Sequence, residues 1–104
     1  MNTIEQLSAF IKESPNSYYA VANSIELLEQ AGFKPLALEN EWAVSFGQGY
    51  YVSPYPSMLI AFKLPKTYPQ EKSFRIVASH TDQPCFIIKP QAEIKAGNLL
   101  KLNV

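Results

Sequence analysis

The sequence predicts an α/β fold in which two helices precede a series of strands. Three observations carry this. Apolar residues recur at helical spacing through the first thirty or so positions. The texture changes after Pro35 to short runs rich in β-branched and aromatic residues. Glycine and proline then punctuate those runs at the points where a chain would reverse.

The first helix opens at Thr3-Ile4-Glu5-Gln6, which has the form of a capping box with a hydroxyl at the cap and Gln three residues on. Ile4, Leu7 and Ile11 form its apolar stripe, with Phe10 beside them, so the helix is expected to bury one face. Ser14-Pro15 ends it, because proline disfavours helical geometry in the residue before it. A second helix is expected from about Ser17 to Ala31, buried through Val21, Ile25 and Leu28. Gly32 supplies the left-handed residue at its C-terminus, and Pro35 prevents resumption.

Strands are expected at Trp42–Phe46 and Tyr50–Ser53, joined by a turn at Gly47-Gln48-Gly49. Met58–Lys63 is apolar at alternate positions of both sets, which predicts a strand covered on both faces. Pro65–Ser73 reads as a loop. Phe74–Ala78 reads as a fourth strand ending at Ser79-His80, and Phe86–Lys89 as a short fifth. Ala96-Gly97-Asn98 is a turn signal, after which Leu100, Leu102 and Val104 alternate again. An apolar strand pattern running to Val104 leads to the expectation that residues 1–104 are a segment of a longer chain.

Composition narrows the function classes. Of 104 residues, 47% are apolar and 17% charged, a globular balance. Nine basic residues cancel nine acidic ones, so no basic surplus points to nucleic acid. The N-terminal stretch has neither a signal peptide nor a membrane span, and a cytoplasmic location is the default expectation. The single cysteine, Cys85, permits no disulfide within the chain, and as a nucleophile it lacks a dyad partner. Gly47-Gln48-Gly49 lacks the residues of a phosphate loop. Tyr50, Tyr51 and Tyr55 are expected in hairpin or core packing rather than in a binding patch.

One constellation carries chemistry. His80, the only histidine, follows an apolar run and stands two residues before Asp82. Positions i and i+2 of an extended chain project to the same side. Asp82 would then accept a hydrogen bond from one ring nitrogen, leaving the other to face a metal. The expected geometry has His80 at a strand's C-terminal end, its ring directed into a concave surface. On spacing alone a second reading stands beside this one: a surface turn in which Asp82 caps a backbone N–H.

The run FRIVASHTDQPCFIIKP, residues 74–90, resembles the signature of the aspartyl aminopeptidase family of zinc metallopeptidases. That signature has an apolar strand, then His-Thr-Asp-Ser-Pro-Cys, then an apolar run ending in Lys-Pro. FIKESPNSYYAV (10–21) with LEQAGF (28–33) is similar to the family's opening helices, and GYYV (49–52) with SMLIAF (57–62) to its first hairpin. The chain departs from the pattern at Gln83, where Ser is usual, at Tyr19, where His is common, and at Pro54-Tyr55-Pro56, in place of a Gly- or Asn-rich turn.

The resemblance implies the N-terminal part of a three-layer α/β/α zinc-exopeptidase catalytic domain, two helices followed by strands of a mixed sheet. Residues 1–104 would form its first segment, with the remainder and an inserted oligomerisation domain lying beyond. It implies that His80 is a metal ligand and Asp82 the carboxylate that orients it, within a site of two zinc ions. It further implies a homo-oligomeric aminopeptidase acting on peptides with N-terminal Asp or Glu; from charge balance and the absence of an apolar span, no nucleic-acid or membrane partner is expected. The segment alone, with one His, is expected to be inactive. The alternative is a non-catalytic binding or assembly module derived from such an enzyme.

Overall fold

A computed structural model describes residues 2–70 and 73–104. Helix α1 spans Thr3–Glu13 and α2 spans Ser17–Gln30. The strands are β1 (Lys34–Pro35), β2 (Gly49–Tyr55), β3 (Met58–Lys63), β4 (Glu93–Ala96) and β5 (Leu99–Leu102). β1 runs parallel to β2, and β2 antiparallel to β3, giving a mixed three-stranded sheet; β4 and β5 form a separate hairpin.

The first helix is capped one residue earlier than its sequence suggests. Asn2 Oδ1 accepts from the Glu5 N–H at 2.9 Å, and the Glu5 carboxylate accepts from the Asn2 N–H at 2.9 Å. An Asn–Glu box satisfies both orphan donors and gives the Asn2 N–H a charged acceptor, which Gln6 would not provide. Asn16 caps α2 in turn, accepting from Tyr18 and Tyr19 N–H. At the far end Phe33 N–H reaches the Leu28 carbonyl and Gly32 N–H the Glu29 carbonyl, with Gly32 at φ +82°. That is a Schellman ending, and it needs a residue that tolerates the left-handed region.

The core is small and sits where α2 crosses the sheet: Val21, Tyr50, Tyr51 and Val52 are buried there. Ile25 and Leu28 are half-buried, in keeping with the expected stripe. On α1 the expectation of a buried face fails, since Ile4, Leu7 and Ile11 are all more than half exposed. Only Ala9 and Phe10 of this helix are half-buried, and the stripe itself has no layer over it among the described residues. β3 differs similarly from its expected cover on both faces. Leu59 and Ala61 turn toward the groove beside the helices, while Met58 and Ile60 stay exposed on the other side.

Trp42–Phe46 is not a strand. Its side chains, rather than a backbone ladder, fix it to the sheet. Trp42 stacks on Phe62 at 6.2 Å, Phe62 lies 5.7 Å from Tyr50, and the Ser45 N–H donates to the Tyr50 hydroxyl at 2.9 Å. The expected turn is present, with Gly47 at φ +77°, and the returning strand runs on to Tyr55 through an irregularity between Val52 and Tyr55. Pro65–Ser73 forms no regular element over its described residues; Glu71 and Lys72 of that expected loop lie outside them.

Phe74–Ala78 and Phe86–Lys89 are corrected too: neither joins a strand ladder. Phe74, Ile76, Val77 and Phe86 are more than four-fifths exposed. An apolar run becomes a strand only when another strand satisfies its N–H and C=O groups in succession, and among the described residues these two runs have a single such backbone bond, from the Lys89 N–H to the Asn103 carbonyl. The Gly97-Asn98 turn closes the β4–β5 hairpin with Gly97 at φ +61°. A positive φ at the first central position suits a two-residue hairpin. The resulting molecule is long, 71 × 38 × 22 Å. Its radius of gyration of 19.5 Å compares with about 13 Å for a compact domain of this length.

Candidate metal centre

His80 and Asp82 lie in the unpaired stretch between the mixed sheet and the hairpin. His80 Nδ1 is 3.1 Å from Asp82 Oδ1 and 2.8 Å from the Asp82 backbone carbonyl oxygen. Both neighbours are acceptors, so Nδ1 carries the proton and donates to them. In the neutral ring Nε2 is then left with its lone pair free, the state a metal-ligating imidazole requires. The spacing therefore brings the two residues together as the sequence suggests.

The surroundings differ from expectation. His80 does not end a strand ladder, and its ring does not point into a concave surface: the side chains of His80 and Asp82 are 83% and 86% exposed. A pair so open to water adds little to stability. What it sets is the direction of the ring and the identity of its protonated nitrogen.

The segment carrying the pair is held at two points that sequence reasoning overlooked. Thr81 Oγ1 donates to the Ser57 carbonyl at 2.8 Å, at the tip of the β2–β3 hairpin. Gln83 Nε2 donates to the Ser14 carbonyl at the end of α1. The available signal was alternation, since residues 80 and 82 face each other while 81 and 83 face the scaffold. Next to Asp82 a cleft of about 410 Å³ opens between Pro15–Tyr18 and residues 82–87. The larger groove, about 960 Å³, lies elsewhere, between the two helices and β3.

The donor set fits one ligand position of a zinc site. His80 offers a nitrogen, and among the described residues no three His, Cys, Asp or Glu side chains are grouped to hold a metal. A catalytic zinc ordinarily takes three protein ligands. Cys85, exposed, is not brought to the pair as a further ligand. No described helix is long and apolar enough to cross a membrane.

Residues 10–104 match the family model described as aminopeptidase I zinc metalloprotease, M18. A probable M18 family aminopeptidase 2 of Pseudomonas putida is 40% identical over 98 residues, covering 94% of this chain and 23% of that protein. One from Pseudomonas aeruginosa is 40% identical over 95 residues, covering 91% of this chain and 22% of that protein. The chain thus spans under a quarter of the length of these relatives. Among solved structures, a chain of the cryo-EM structure of the Ape4 and Nbr1 complex superposes with a TM-score of 0.83 at 32% identity, covering 90% of this chain and 18% of that one. Two helices followed by strands of a mixed sheet are the arrangement they have in common, and the chain belongs to the M18 family of zinc metalloprotease aminopeptidases.

Proposed function

We propose that this chain serves a metal-dependent aminopeptidase, in which His80 supplies one zinc ligand through Nε2 and Asp82 orients it. The observation that carries the reading is the pair of contacts at Nδ1, which fixes the proton there and leaves Nε2 free. When bound, a two-zinc centre supplies a Lewis acid for the scissile carbonyl and a water acidic enough to attack as hydroxide. Asp82 holds the Nδ1 proton and keeps the ring from rotating, while the remaining ligands and the base come from outside these 104 residues. The substrates are peptides, with acidic N-terminal residues favoured, and the enzyme is a cytoplasmic homo-oligomer. This finer reading rests on the resemblance of the motif around His80 to the aspartyl aminopeptidases.

The test is replacement of His80 by Ala in the complete enzyme, with zinc content measured beside turnover. Activity on an Asp- or Glu-initiated peptide is expected to vanish with loss of zinc. Normal zinc content and turnover would sink the assignment. A second reading, a non-catalytic assembly module, draws on the exposed Leu99, Leu100 and Leu102 of the hairpin. It would be favoured if an intact complete protein bound no zinc and cleaved no peptide.

A further inference from the structure

We infer that Gln83 and Thr81 are positioning residues that set the pose of the His80–Asp82 pair, an inference that rests on the proposed metal role of His80. Among the described residues, residues 73–88 make two hydrogen bonds to the rest of the molecule, and both start from this motif. Thr81 reaches the Ser57 carbonyl and Gln83 the Ser14 carbonyl. Both flank Asp82 directly. With no strand ladder here, these two side chains decide where residues 80–83 sit against the scaffold.

Their acceptors are fixed points. Ser14 is 3% exposed, follows α1 as its cap and precedes Pro15. Its hydroxyl accepts from Asn23 Nδ2 at 3.0 Å, and the same amide donates to the Glu13 carbonyl at 3.0 Å. Ser57 sits in the tight β2–β3 turn, where Ser53 Oγ lies within bonding distance of both the Tyr55 and Met58 carbonyl oxygens. A metal ligand must be held within a fraction of an ångström of its productive place, by groups that are themselves locked. The alternation divides the roles, with 80 and 82 forming the ligand pair while 81 and 83 seat it. Gln83 has the reach for this. Its side-chain amide is a donor on a two-carbon stem, and Ser would stop short of the Ser14 carbonyl from the same position.

The experiment uses the zinc-loaded complete enzyme and compares Gln83→Glu, Gln83→Met and His80→Ala. Glu keeps the shape of Gln but cannot donate as a carboxylate, and Met keeps the length without a donor. Both are expected to weaken zinc retention against a chelator roughly 10-fold, the low end for groups acting through a ligand's support. kcat should fall while KM stays near the unsubstituted value. A bond that merely stabilised the fold would leave zinc retention unmoved, and wild-type retention in Gln83→Glu together with zinc loss in His80→Ala would overturn the positioning role alone. Zinc retained in His80→Ala would overturn both this and the metal reading. Should the Gln83 variants fail to fold, Thr81→Val removes the other tether at constant shape and carries the same expectation.

Discussion

The phenol of Tyr51 donates a 2.6 Å hydrogen bond to Oε1 of Glu29, joining β2 to α2 across the core. The bond to Glu29, with burial and the nearby negative charge adding to it, pushes the Tyr51 pKa from 10.0 up to about 12. In the unfolded chain the phenol ionises near its ordinary value. Stability from this pair is therefore fully present below about pH 10 and is lost as the pH rises toward 12. Urea unfolding across that window should show a falling midpoint that Tyr51→Phe reduces. Below pH 9 the Phe variant should be less stable by about 1 kcal/mol, the net value of a typical hydrogen bond. Parallel pH slopes in the two proteins would refute the coupling.

Gly49 opens β2 with the Phe33 ring against its Cα. A Cβ added there would lie 2.7 Å from two ring carbons, closer than real contacts allow. Gly49→Ala should cost about 1–3 kcal/mol, the usual range for overpacking. Pairing it with Phe33→Leu, which removes the ring, should recover part of the loss. Equal stability of Gly49→Ala and wild type in denaturant titration would show that the ring moves aside freely.

Gly32 makes a contrasting case. Nothing lies within 4 Å of an added Cβ, yet its φ is +82°. Gly32→Ala should therefore cost about 1–2 kcal/mol from backbone strain alone. Gly32→Asn should cost less, because Asn tolerates the left-handed region. Thermal unfolding of the pair distinguishes this backbone effect from packing, for which the larger Asn would be the worse.

Asp82→Asn leaves a side chain of the same shape that can still accept from Nδ1 through its amide oxygen, but without the charge. In the complete enzyme a loss of about 10–100-fold in zinc affinity or activity is expected, milder than that of His80→Ala. The order of the two variants is the measurement. An Asp82→Asn enzyme poorer in zinc than His80→Ala would make Asp82 a ligand in its own right.

The 104-residue chain alone is expected to show no peptidase activity and only weak zinc binding, since one imidazole is a fraction of a catalytic ligand set. Calorimetry with zinc, beside an assay on an Asp-initiated peptide, checks both. Tight binding of two metals per chain would contradict it.

Sequence reasoning located the helices because their signals are local: a capping-box pattern at Thr3, one residue past the actual cap Asn2, with Ser14-Pro15 ending the first helix and Gly32 the second. It placed the His80–Asp82 contact for the same reason, as two residues apart in sequence are also neighbours in space. It misjudged Trp42–Phe46, whose Trp42 and Phe46 rings pack on Phe62 and Tyr68 while its backbone pairs with no strand among the described residues. It misjudged Phe74–Ala78 because apolar pattern records a tendency to be covered, whereas a ladder depends on which partner stands alongside. It overlooked Lys34–Pro35, whose parallel pairing with Tyr50–Tyr51 has no periodic signature in two residues. The tethers from Thr81 and Gln83 span 24 and 69 positions, beyond any local rule.

Those spans also imply a sequence of events in time. The α2–β2 contact through Glu29 and Tyr51 closes 22 positions, and the β2–β3 pairing fewer still. Against the 69 positions of the Gln83 tether, these closures cost less chain entropy and form sooner. During synthesis the N-terminal portion emerges first. The helices and the mixed sheet, with Ser14 and Ser57 already in place, can therefore be finished while His80 is still inside the ribosome. The ligand then arrives at a berth that was built before it.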